Sequence, residues 1–233
     1  MPASDEHSQR QLSLFDPPPA AEGRPVPAAE GGAALFAGID LEELRRIAAA
    51  CTRCQLRAGC RQVVFGEGSP TADLMFVGEG PGEQEDRLGR PFVGAAGQLL
   101  DKILAAIGVA RSEVYIANVV KCRPPQNRVP TAEEAEACWP YLERQIALID
   151  PRIIVCLGAT AAKRLIDPKI SIMRSRGQWF SKGDRQYTVT FHPAALLRNP
   201  HWKPLAWEDF KEIRRRYRGG GLAGDGEGDP PTA

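Results

Sequence analysis

Four short stretches of the chain are continuously apolar and rich in β-branched or aromatic residues. They are DLMFVG from Asp73, VYIANVV from Val114, RIIVCLG from Arg152 and YTVTFHP from Tyr187. Between them the apolar positions recur with a helical period. In GAAGQLLDKILAAIG, Leu99, Leu100, Ile103, Leu104 and Ile107 fall on one face. TAEEAEACWPYLERQIALID opens on Thr131 and Glu134, spaced as a capping box, and Pro140 is expected to kink that helix by removing a backbone donor. WEDFKEIRRRYR predicts a closing helix. Strands that alternate with helices predict an α/β fold whose parallel sheet is covered on both faces.

The two ends read differently. Residues 1–37 hold six prolines with repeated Ala, Gly and Glu, and residues 219–233 read GGGLAGDGEGDPPTA. Neither can bury enough apolar surface to offset its ordering entropy, so both are expected to be disordered tails around one domain, residues 38–218. Charge follows the same division. Each tail carries a net −3 while the whole chain is +1, which leaves the core at +7. A basic core between acidic tails favours a polyanionic partner such as nucleic acid. No apolar run approaches the roughly 18 residues of a membrane span, and no basic-then-apolar leader opens the chain. A cytoplasmic address is expected, where six cysteines point to metal ligation or burial rather than disulfides.

In an open parallel sheet, ligands bind beyond the carboxyl ends of the strands. The text at those ends is GEGPGEQEDRLGRPFVG, NVVKCRPPQNR, GATAAKRL and HPAALLRNP. The first is glycine-rich but lacks the Gly-Lys-Ser/Thr of a P-loop, and its glycines have the wrong spacing for a dinucleotide fingerprint. It reads as a tight loop whose backbone approaches a ligand and which carries Glu79, Glu85 and Phe92 toward one site. His192, at the end of the fourth strand, can stabilise negative charge on a leaving group. Cys51 and Cys54 form a C-x2-C chelating pair, and Cys122 and Cys138 form a second pair with fifteen residues between them. Spacing alone leaves zinc and an iron–sulfur cluster open. Cys156 reads as a buried small residue, and Cys60 as a possible substitute ligand.

Taken together and in this order, the glycine-rich loop, NVVKCRPPQNR and HPAALLRNP behind a C-x2-C resemble the family 4 uracil-DNA glycosylases, over about Cys51 to Tyr217. The resemblance implies a three-layer α/β/α fold with a central four-stranded parallel sheet, acting as a monomer on uracil-containing DNA in the cytoplasm, at the nucleoid. It implies a 4Fe-4S cluster on Cys51, Cys54, Cys122 and Cys138. It assigns Phe92 to stacking on a flipped uracil, Asn118 to its Watson–Crick edge, and Gly80 to close approach by the backbone. His192 falls to the uracil O2, Glu79 to the sugar and water, and Glu85 to the C5 side. Asn127 matches a further site position, and Leu196, Leu197 or Arg198 supplies a wedge. The sequence lacks the inserted basic His loop of one branch of the superfamily and keeps the first-motif acid that another branch replaces. A non-catalytic iron–sulfur DNA-binding or redox-sensing module is the alternative, disfavoured by the joint presence of Glu79, Asn118 and His192.

Finally, QLSLF, with Gln11, Leu12, Leu14 and Phe15 before three prolines, resembles the peptide by which bacterial repair proteins hold the sliding clamp. Apolar anchors on an extended segment suit a groove on such a partner. Lys121, Arg123, Arg174, Arg176 and Arg214–Arg216 are candidate phosphate contacts, and a solvated basic face has the same sequence signature.

Overall fold

A computed structural model describes residues 33–219. The strands are β1 (Glu67–Gly68), β2 (Leu74–Gly78), β3 (Tyr115–Asn118), β4 (Ile153–Leu157), β5 (Trp179–Lys182) and β6 (Arg185–Thr190). The helices are α1 (Leu41–Ala49), α2 (Leu56–Gly59), α3 (Glu83–Leu88), α4 (Ala95–Ala106) and α5 (Ala132–Ile149), followed by α6 (Ala159–Leu165), α7 (Ile172–Ser175), α8 (Pro193–Arg198) and α9 (Lys203–Arg218).

The sheet has six strands in the order β1-β3-β2-β4-β6-β5. Its inner pairs, β2 with β3, β2 with β4 and β4 with β6, are parallel. The edges, β1 on β3 and β5 on β6, are antiparallel. The four-stranded sheet expected from the sequence is therefore a mixed six-stranded one. β1 is only two residues long, and β5 has a half-buried pattern that leaves no apolar run to notice.

The inner strands alternate strictly between two cores. Met75, Val77, Tyr115, Ala117, Ile154 and Cys156 face one side, where Leu142 and Ile146 of α5 and Leu44 and Ala48 of α1 cover them. Leu74, Phe76, Val114, Ile116, Ile153 and Val155 face the other, against Leu100 and Leu104 of α4 and Phe210 and Ile213 of α9. Burial on both faces is why these strands read as unbroken apolar runs. Thr131 and Glu134 form the expected capping box at the start of α5. Pro140 lies inside α5, which continues as a single helix to Ile149. The folded region begins before residue 38: Phe36 is buried, its ring 4.9 Å from that of Tyr141.

Candidate active site and cysteine pocket

The carboxyl ends of β2, β3, β4 and β6 surround a cavity of about 430 Å³. β2 sits centrally, and the chain leaves it first for β3 on one side and then for β4 on the other, which makes this a topological switch point. Glu79, Gly80, Glu85, Phe92, Asn118, Asn127 and His192 all line the cavity.

Asn118 is the last residue of β3 and is buried. Its side-chain oxygen Oδ1 is fully buried and accepts no hydrogen bond. Such an atom is costly unless a ligand supplies the donor. The backbone carbonyl of Asn118, in contrast, accepts from Lys121 Nζ at 2.9 Å. Lys121 also donates to Gln145 Oε1 at 2.6 Å, and Gln145 Nε2 donates to Phe65 O and to the Tyr115 hydroxyl. This wholly buried network fixes the strand end that carries Asn118.

Phe92 lies against Asn118 because residue 78 is a glycine. A Cβ there would come within 2.4 Å of Asn118 Oδ1 and 2.6 Å of the Phe92 ring. Phe92 itself has φ 49°, an uncommon conformation for a bulky residue. Glu85 holds the turn in place: its Oε1 accepts from the N–H groups of Val93 and Gly94, each at 2.8 Å. The carboxylate expected beside the base thus also builds the platform for Phe92. Gly80 owes its lack of a side chain to packing, since a Cβ would meet Val120 Cγ2 at 2.8 Å. Asn127, with φ 57°, accepts from Arg123 Nε at 2.8 Å through its Oδ1.

His192 caps α8, its Nδ1 accepting from Ala194 N–H at 3.1 Å. With Nδ1 an acceptor, the ring proton is assigned to Nε2. Burial, helped by the Arg198 charge and opposed by Glu85, pushes the His192 pKa down to about 4, so the ring is neutral at physiological pH. The ring packs on Phe92 with centroids 5.4 Å apart. Glu79 Oε2 accepts a hydrogen bond from the Thr160 hydroxyl of α6.

On the other side of residues 119–121, Cys51, Cys54, Cys122 and Cys138 line a second, small pocket. Cys138 Sγ accepts the Lys121 N–H at 3.3 Å and Cys51 Sγ the Arg53 N–H at 3.5 Å. Burial raises the Cys138 thiol to about 11 and raises Cys122 further, with neighbouring sulfurs adding to both. Cys60 Sγ donates to Arg57 O at 3.6 Å and stands near enough to Cys122 to add to its upward shift. Among the described residues no three His, Cys, Asp or Glu side chains stand in a ready metal-ligating array. Cys156 is buried in the core on β4, apart from this pocket.

A family model described as "Uracil DNA glycosylase superfamily" matches residues 65–211, more than half of the chain. A type-4 uracil-DNA glycosylase of Thermotoga maritima is 52% identical over 153 residues, covering 64% of this chain and 79% of that protein. One from Sulfurisphaera tokodaii is 47% identical over 184 residues, covering 75% and 83%. One from Pyrobaculum aerophilum is 42% identical over 196 residues, covering 79% and 96%. The chain belongs to the uracil-DNA glycosylase superfamily, with type-4 relatives.

Within this glycosylase-family chain, several expectations need correction. Lys121 is 2% exposed and holds a backbone carbonyl rather than phosphate. Arg176 is committed to Asp209 at 2.6 Å. Leu196 is buried with Phe191 and Ala206, whereas Leu197 is exposed and Arg198 lines the cavity rim. Thr160 was missed. Its only sequence signal was its place in GATAAKRL, at the carboxyl end of a strand. Among the described residues no helix is long and apolar enough to cross a membrane. Gln11, Leu12, Leu14 and Phe15 lie outside the described residues.

Proposed function

We propose that this protein hydrolyses the N-glycosidic bond of deoxyuridine in DNA, releasing uracil and leaving an abasic site. The observation that carries this reading is the buried, unpartnered Oδ1 of Asn118 beside a neutral His192. Uracil presents an N3–H donor next to its O4 acceptor, and one carboxamide complements both. Cytosine presents the reverse pattern, so its N3 lone pair would face Oδ1. A site with a buried group awaiting a donor rejects a base that lacks one.

The base reaches the cavity only after leaving the duplex. Phe92 stacks on its face, and Glu85 closes the C5 side against a thymine methyl. Leu197, exposed on α8, fills the gap in the stack, and Arg198 at the rim meets the backbone. The C1′–N1 bond breaks with its electron pair moving onto the uracil ring and O2. His192 donates from Nε2 to that oxygen as charge develops. Being neutral, it gives a hydrogen bond without giving up its proton. Glu79 faces the cationic sugar and orients the water whose oxygen bonds to C1′, and the proton that this water sheds ends on the departing uracil anion. Asn127 borders the same space.

The cysteine pocket suits a 4Fe-4S cluster on Cys51, Cys54, Cys122 and Cys138. Four sulfurs share one pocket, two of them accept backbone N–H bonds, and Arg53, Arg57 and Lys121 surround them. Such donors and charges stabilise thiolates bound to iron, and the bound metal deprotonates thiols that burial would keep neutral. The cluster would tie the segment after α1 to the loop that follows β3 and to the first half of α5, and no hydrolytic step uses it. We further propose that Gln11, Leu12, Leu14 and Phe15 anchor the protein to the sliding clamp. Unchanged clamp binding by a Leu14→Ala, Phe15→Ala protein in a titration would remove that assignment.

The deciding test is uracil release from a labelled duplex with one dU, using protein as isolated with its metal. Release by the wild type and a loss of about 100-fold or more in His192→Ala are expected. No release by iron-loaded wild type would leave a non-catalytic DNA-binding module instead.

A further inference from the structure

The turn from β4 into α6, Gly158-Ala159-Thr160, has no part in the mechanism above, yet it touches both catalytic groups. Gly158 has φ +91°, open to glycine far more than to other residues. Its N–H donates to Thr190 O at 2.9 Å, which ties the turn to the end of β6 just ahead of His192. A Cβ on Gly158 would stand 3.1 Å from His192 Cβ. The turn is thus held from one side by the strand that leads to the histidine. Two residues on, the Thr160 hydroxyl donates to Glu79 Oε2. The Glu79 backbone is fixed separately, its carbonyl accepting from Val120 N–H at 3.1 Å. What the backbone leaves undetermined is the rotation of the carboxylate.

We propose that Thr160 is the positioning residue for Glu79: its hydroxyl fixes one carboxylate oxygen and so directs the other at the sugar and its attacking water. The inference rests on the reading of Glu79 as the catalytic carboxylate. The turn places acid and histidine in register, because residues two apart support one and abut the other. A threonine kept only for packing would need its methyl and not its hydroxyl.

Single-turnover uracil release from a dU duplex, with DNA affinity measured alongside, tests this in wild type, Thr160→Val, Thr160→Ser, Glu79→Ala and the Glu79→Ala/Thr160→Val double variant. Thr160→Val should slow release about 10- to 100-fold with DNA affinity unchanged, and Thr160→Ser should restore most of the rate. In the Glu79→Ala background the valine should have no further effect. A Thr160→Val protein within about twofold of wild type would overturn the proposal. So would a valine that slows Glu79→Ala as much as it slows wild type, since the effect would then be structural. A Glu79→Ala protein as fast as wild type would leave Thr160 nothing to position and would also overturn it. Absence of release by wild type is the separate result that removes the glycosylase reading itself.

Discussion

Two pockets flank one short segment, and they are built on opposite terms. Asn118 opens on the base cavity, and Cys122, four positions later, on the cysteine pocket. The base cavity is organised by the chain's own groups: Glu85 is satisfied by two amides, His192 by a third, and Glu79 by a hydroxyl. One buried acceptor is left, on Asn118, and under the proposed function it awaits one donor of a base. The cysteine pocket has no comparable internal organisation. Burial and neighbouring sulfurs raise its Cys122 and Cys138 thiols, and only two of the four sulfurs that line it accept a backbone N–H. Preorganisation of the first kind suits a transient ligand that must be read and released. The second suits a permanent one that completes the fold when it binds. Lys121 belongs to both, since its N–H meets Cys138 and its ammonium meets the Asn118 carbonyl.

Breaking the cysteine side should have the largest effect on stability. Cys138→Ser is expected to lose iron and lower the melting temperature by about 10 °C or more, read by metal analysis and calorimetry. A variant as stable as wild type would show that the pocket is no structural metal site. Breaking the base side should leave stability nearly untouched and remove function. Asn118→Ala is expected to slow uracil release about 1,000-fold with little change in melting temperature, because the group removed has no partner in the protein. Lys121→Met sharpens the contrast by cutting the tie between them. It leaves Gln145 Oε1 and the Asn118 carbonyl without their donor, at about 1–3 kcal/mol each before relaxation. Both iron retention and uracil release should fall in that variant, and a change in only one would show that the two pockets are independent.

The smallest effect is one of pH. The His192 pKa is lowered to about 4 from an ordinary 6.5. Between those values the unfolded chain binds a proton that the folded chain does not. Stability is therefore unaffected by this group above about pH 6.5 and falls as pH drops toward 4. The histidine-dependent part of uracil release should persist to near pH 4, and a limb near 6.5 in a pH–rate profile would contradict it.

Much of this was legible along the chain. The inner strands appeared as apolar runs because both faces of the sheet are covered. The capping box at Thr131 and the cysteine pairs are local spacings, and Glu79, Asn118 and His192 stand at strand ends, where an α/β sheet binds its ligands. Other features were not legible. The edge strands β1 and β5 carry no run of their own and exist because β3 and β6 offer open edges. Lys121 looked like a surface cation because nothing nearby in sequence announces Gln145, which lies 24 positions away. Leu196 and Leu197 are neighbours of identical type, and only the packing of α8 buries one and exposes the other.

By itself, then, the sequence determined the alternation of strand and helix, the residue types at the strand ends and the presence of two cysteine pairs. All of these depend on periodicity and spacing within short windows. Tertiary structure alone decided which side chains share a pocket, which cation is buried and which acid is held. The hydrogen bond from Thr160 to Glu79 spans 81 positions. Contacts of that range are set by strand order and crossover, and those follow from how the whole chain closes over its two cores.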